Sequence, residues 1–157
     1  MQFSKIFAMH AERNYQVIKL QSDGLTNEES LLQPPFRGNC FNWVLGHILY
    51  FRGRQLKVLG DTSDWPDQLQ RYSQESEPVT AEAQNILSLN QLLNLLDQSQ
   101  ERLIARLQDT AEADFDAILG DRGSRGEILA MLQRHEAYHT GQLELLRQLA
   151  GKNDKII

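Results

Sequence analysis

Two histidines four residues apart, His135 and His139, stand out in a chain that holds only four histidines. A helix turns once every 3.6 residues, so positions i and i+4 point the same way with Cβ atoms about 5–6 Å apart, and two such rings can reach one metal ion. His47, in a second strongly apolar helical segment, offers a third nitrogen. Three imidazoles leave one or more positions open around a divalent ion, which is the arrangement of catalytic rather than structural zinc. His135 and His139 fall on the stripe Ile128, Leu132, His135, His139, Gln142 and Leu146. Rings placed among leucines there must be hydrogen-bonded or ligating. His47 aligns with Trp43, Tyr50 and Arg54, and taken alone it reads as a core histidine bonded to a neighbouring carbonyl.

His135-Glu136-Ala137-Tyr138-His139 also matches the zincin signature, His-Glu-x-x-His, to the letter. A zincin needs a third ligand downstream and a sheet edge to align its substrate. Only 18 residues follow His139, with Glu144 and Asp154 their only acids, and no strands are evident. A metalloprotease is therefore the weakest reading. Glu136 reads as a solvated or rim carboxylate, with a role as a base or as a partner to a ligand as the alternative. His10, Asn14, Tyr50, Arg54 and Gln142 are candidate lining groups, His10 also a possible fourth ligand, and Arg54 the best candidate for holding an anionic substrate. Cys40 precedes His47 by seven residues, a helical rise of about 10.5 Å. It reads as a small buried residue.

The elements that must position these groups are helical. Leu is abundant, β-branched residues are sparse and no segment alternates with period two, so the chain reads as all-α. A first helix spans about Phe3 to Gln21, with Phe3, Phe7, His10, Asn14 and Val17 on one stripe, widened by Ile6 and Leu20. Thr26-Asn27-Glu28-Glu29 is a capping box that predicts a short turn to about Leu32, stopped by Pro34-Pro35. A second long helix runs from near Asn39–Asn42 to Leu59, apolar around most of its circumference and so central, with Gly60 as its left-handed cap. Residues 61–78 read as a long crossover loop. The third long helix is expected from near Thr80 to Asp109, with Ile86, Leu89, Leu93, Leu96, Leu103 and Leu107 as its seam. A second capping box, Ser124-Arg125-Gly126-Glu127, starts the last helix, which runs to Ala150 before Gly151. Four long helices with one accessory turn predict a four-helix bundle, a fold that builds metal sites from side chains projecting inward.

Bulk properties narrow the partners. A chain of 157 residues is one domain, 1–157. Its formal net charge is -5 and its basic residues are scattered among acidic ones, so nucleic acid is an unfavourable partner. One cysteine fits a reducing compartment, and no run reaches the roughly 20 apolar residues of a membrane span. With charged residues throughout its first segment and no apolar signal core, the chain is expected to be soluble and cytoplasmic.

Two segments carry a family resemblance: Asn42-Trp43-Val44-Leu45-Gly46-His47-Ile48-Leu49 followed by Arg52, and His135-Glu136-Ala137-Tyr138-His139-Thr140-Gly141-Gln142-Leu143 followed by Leu146-Arg147 and Gly151. In these the chain resembles the DinB-like superfamily, the damage-inducible and bacillithiol-transferase-type four-helix proteins, over nearly its whole length. Thr140 departs from the arginine that relatives often carry there. The resemblance implies a metal triad at His47, His135 and His139, an up-up-down-down bundle with a long crossover, and a homodimer. The implied metal is variously zinc, nickel or iron, and imidazole donors alone also accept copper. The expected function is a metal-dependent enzyme acting on a small molecule, with a low-molecular-weight thiol as co-substrate in S-transfer or isomerisation, or with activated water in hydrolysis. The alternative is a non-catalytic, metal-stabilised dimeric binding protein.

Overall fold

Side-chain caps set where the helices begin. The computed structural model describes residues 2–81 and 83–154. Its helices are α1 (Phe3–Ser22), the short α2 (Asn27–Ser30), α3 (Phe41–Val58), α4 (Leu89–Asp109) and α5 (Arg125–Leu149). Among the described residues there is no strand, as the sequence pattern predicts. At Thr26 and Ser124 the hydroxyl accepts from the backbone N–H three residues on, and the glutamate there, Glu29 or Glu127, bonds back to the cap's own N–H. Gly60 and Gly151 close α3 and α5 with φ of +76° and +79°.

Expectations for two of the helices need correction. The third long helix starts at Leu89, not near Thr80, because a capping box between Ser88 and Gln91 fixes its first turn there. Ile86 therefore precedes the helix, and the connection from α3 runs over 59–88. That connection carries a 3₁₀ turn, Asp67–Tyr72, packed on α3. On α1 the buried residues are Phe7, Ala11, Asn14, Val17, Ile18, Gln21 and Ser22, whereas Phe3, His10 and Leu20 are exposed.

Cross-helix bonds give the direction of each neighbour. Tyr15 and Lys19 reach Asp97 while Glu12 meets Gln100, so α1 and α4 run antiparallel. Gln133 donates to the Phe7 carbonyl and Arg147 to that of Gln21, so α1 and α5 run parallel. Asn42 meets Leu87, Arg52 meets Ser99 and Arg106 meets Leu59, which makes α3 and α4 parallel. Arg52 with Glu136, and Arg125 with Val58, make α3 and α5 antiparallel. In chain order the four long helices go up, down, down, up, so the expected up-up-down-down order is wrong. The longest connection, 59–88, serves the single parallel pair that is consecutive among the long helices, and carries the chain back from the end of α3 to the start of α4.

Fourteen of the 18 residues of α3 are buried. Helices α4 and α5 cover two of its flanks and the crossover covers a third. Glycine makes the third contact close: a Cβ at Gly46 would collide with the Tyr72 ring, and one at Gly53 with the Trp65 indole.

Candidate metal centre

His47, His135 and His139 come together between α3 and α5, each offering one ring nitrogen within 4.8 Å of those of the other two. The antiparallel packing of the two helices produces this, since it sets the middle of α3 against the middle of α5. Burial holds the rings in place. Trp43 stacks on His47 at 4.5 Å between centroids and 16° between planes, and Phe51 packs on His135 at 4.1 Å.

Hydrogen bonds to the outer nitrogens decide which lone pairs face inward. His47 Nδ1 lies 2.7 Å from the Tyr72 carbonyl, an acceptor only, so Nδ1 carries the proton and Nε2 keeps its lone pair. His139 Nδ1 lies 2.7 Å from Gln142 Oε1, with the same consequence. His139 Nε2 and His135 Nε2 are 3.1 Å apart. Two ligands at the 2.0–2.1 Å zinc–nitrogen distance and a tetrahedral angle stand about 3.3 Å apart, so the spacing suits a shared ion. A proton could bridge that pair, but not also serve His47. His135 Nδ1 is buried without a hydrogen-bond partner among the described residues, so that ring is oriented by packing on Phe51 and by its two histidine neighbours.

The protein resists protonating this cluster. Burial pushes His47 down to about 4, opposed by its bond to Tyr72 and reinforced by repulsion from His139 and Arg54. Burial, then repulsion from His139 and His47, likewise brings His135 to about 4. His139 is lowered by burial, with the Gln142 bond acting against it. At neutral pH the cluster is three neutral imidazoles, the protonation state a metal ion requires.

Glu136 is not a rim carboxylate. It is 2% exposed; Arg52 donates to its Oε1 at 2.7 and 3.2 Å and Gln55 donates to its Oε2 at 2.8 Å. Arg52, fully buried, also donates to Ser99 and Gln100 of α4. With both oxygens engaged, Glu136 is unavailable as the base of a zincin, and the third histidine comes from upstream on α3. The deepest stripe of α5 is Leu129, Gln133, Glu136, Thr140, Leu143 and Arg147, and the histidines flank it, half-buried. Sequence reading missed Arg52 as a site-building residue and Tyr72 altogether. The signals were an arginine directly after the apolar run Ile48–Phe51 and a tyrosine within a polar loop.

The other candidates separate. His10 is exposed on α1 and outside the cluster, so neither its buried-stripe placement nor a fourth-ligand role holds. Asn14 is buried on α1. Gln142 and His139 line a cleft of about 280 Å3 with Trp43, Val44, Tyr138 and Leu145. Tyr50 and Arg54 line a different cleft, of about 440 Å3, on the other side of the histidines. Cys40 is fully buried, its thiol against the Val79 carbonyl, and takes no part.

An all-helical fold with three converging neutral imidazoles defines a protein positioned to bind a metal ion. Residues 11–143 match the family model of the DinB superfamily, and the chain belongs to that superfamily. The match includes all three histidines. A comparison with curated proteins found none that matches the chain. No helix among the described residues is long and apolar enough to cross a membrane.

Proposed function

We propose that the protein is a metal-dependent enzyme that uses a low-molecular-weight thiol in transfer to an organic electrophile. The observation that carries this reading is the orientation of the histidines: Tyr72 and Gln142 hold the outer nitrogens of two rings so that the inner lone pairs converge beside a cleft. His47, His135 and His139 would hold a divalent ion as neutral imidazoles, leaving its full charge to lower the pKa of a bound thiol or water. The chain's own residues do the rest. Trp43 and Phe51 exclude water from the inner side of the rings. Val44, Tyr138, Leu145 and Leu146 form an apolar wall against which an electrophile can lie next to His139.

The thiol proton leaves to solvent through this cleft, since Glu136 is committed to Arg52 and the histidines to ligation. The sulfur lone pair forms the new bond to carbon, and the leaving group departs with the pair of the bond that breaks. The test is a screen of thiols against alkylating and epoxide electrophiles, using metal-loaded wild-type protein and His135→Ala. Metal-dependent turnover absent from the variant is expected; turnover that survives the substitution overturns the reading.

A further inference from the structure

The groove between α3 and α5 changes character across the histidines. On the side nearer the start of α3 it is the mainly apolar cleft, where Arg37 is the single lysine, arginine or acidic residue of the lining. On the side nearer the end of α3 lies the larger cleft, bounded by α3, the Asp67–Tyr72 turn and the first turns of α5. Arg54, Lys57 and Arg122 line it, with Asp67 the only acid among its lining residues. Acids outnumber bases 21 to 16 in the chain, so a cationic cleft runs against the overall balance.

These cations are not spent on partners. Among the described residues the ion pairs involve Lys19, Arg52, Arg102, Arg147 and Lys152, and none of the three. Arg54 is nonetheless held in place: its guanidinium lies 5.0 Å from the centroids of both Tyr50 and Phe51, and it donates to the Tyr50 hydroxyl at 3.0 Å. The opposite wall is also fixed. Trp65 donates from its indole N–H to the Leu49 carbonyl at 3.1 Å and lies against Gly53, whose missing Cβ gives it room. Leu69, Ile128 and Leu132 complete an apolar floor. Phe51 touches Arg54 on one side and His135 on the other, which makes the cleft the immediate neighbour of the metal centre.

We propose that this cleft binds the oxyanionic end of a small organic acid, a carboxylate or phosphate group attached to a short apolar body. Building on the enzymatic reading above, the α3–α5 groove then takes an anionic co-substrate on one side of the histidines and an apolar one on the other. Guanidinium and ammonium groups on a fixed apolar frame are the donors such an anion needs, and their field steers it in.

The test is calorimetric titration of the full-length protein with glutarate and with inorganic phosphate at low ionic strength, with and without zinc. The variants are Lys57→Glu/Arg122→Glu, both exposed positions, and His135→Ala, with thermal unfolding as the check on folding. Binding to the metal-free wild type is expected, about tenfold or more weaker in the charge-reversed double variant, falling with added salt and retained in His135→Ala. Binding of glutarate alone or phosphate alone identifies which oxyanion the cleft selects and supports the site. Affinity unchanged by the charge reversal, binding that disappears with His135→Ala, or no binding of either probe at millimolar concentration overturns it. Failure of the enzymatic reading is seen separately, as absent turnover in protein that binds both zinc and anion.

Discussion

Arg52 and Glu136 meet at 2.7 Å in the interior of the protein, joining α3 to α5 five residues beyond His47 and at the position immediately after His135. This pair, rather than the histidines, fixes the register at which the two helices face each other. Taking both ions out of water costs several kcal/mol, repaid here by five hydrogen bonds from Arg52 and Gln55 to Glu136, Ser99 and Gln100.

Removing one partner leaves an uncompensated charge. Glu136→Leu is expected to lower unfolding free energy by about 3–5 kcal/mol in urea titration, and to weaken zinc binding as the register loosens. The double variant Arg52→Met/Glu136→Leu should recover much of that stability, because it removes both charges. A double variant no more stable than the single would show that the pair is not the organising contact.

Metal binding should appear as stability. At a free zinc concentration one hundred times Kd, the wild type gains about 2.7 kcal/mol, read as a rise in melting temperature that a chelator reverses. His47→Ala, His135→Ala and His139→Ala should each lose most of that rise. A full shift surviving in any one of them would remove that residue from the ligand set.

Acidification has a definite sign. His47 and His135 titrate near 4 in the folded chain against an ordinary value of 6.5, so the unfolded state takes up protons first as pH falls. Their contribution is intact above pH 6.5, is lost progressively toward pH 4 and then levels off. Urea midpoints of metal-free wild type should fall more steeply across that window than those of His47→Gln. Equal slopes would refute the burial of a neutral ring at that position.

Gln142 is half-buried and sits at the cleft, so its replacement should leave the fold intact. Gln142→Leu removes the acceptor that holds His139 Nδ1, and zinc affinity is expected to fall about 10–100-fold with the melting temperature of the metal-free protein nearly unchanged. Competition with a chromophoric chelator measures it. Unaltered affinity would mean that the ring needs no such support.

Sequence carried the four long helices, the two capping boxes at Thr26 and Ser124, and the His135–His139 pair, because each depends on spacing within a short segment; in the sequence His47 joins the pair only through the resemblance to the family. What it did not carry depends on distant partners. Glu136 reads as a surface residue until Arg52, 84 positions away, neutralises it. His10 fits a buried stripe on paper, but α4 and α5 cover the face centred on Ala11, Asn14 and Ile18. Ser88 does not stand out as a cap in the sequence because Ile86 and Leu89 continue an apolar pattern across the point where the helix begins. The direction of the helices followed only from cross-helix bonds, which no local pattern encodes.

Gly46 shows how the crossover reaches the metal centre. A helix-interior glycine costs about 1 kcal/mol relative to alanine, so Gly46→Ala would ordinarily stabilise α3. Here a Cβ would collide with the ring of Tyr72, which is fully buried and whose hydroxyl donates to Asn42 and accepts from the Leu87 N–H. The ring cannot swing aside without breaking those bonds. The Tyr72 carbonyl would then withdraw from His47 Nδ1, freeing the ring to lose its tautomer. Gly46→Ala is therefore expected to destabilise the fold by about 1–3 kcal/mol, as overpacked cores do, and to weaken zinc binding beyond what the stability loss explains. Gly46→Ala/Tyr72→Leu, which clears the ring, should restore part of the stability while the affinity stays low, because the hydroxyl bonds that hold the segment against His47 are gone. Denaturant titration and chelator competition on the same three proteins separate the two effects; a stabilised Gly46→Ala variant with native affinity would dismiss the crossover as a support for His47.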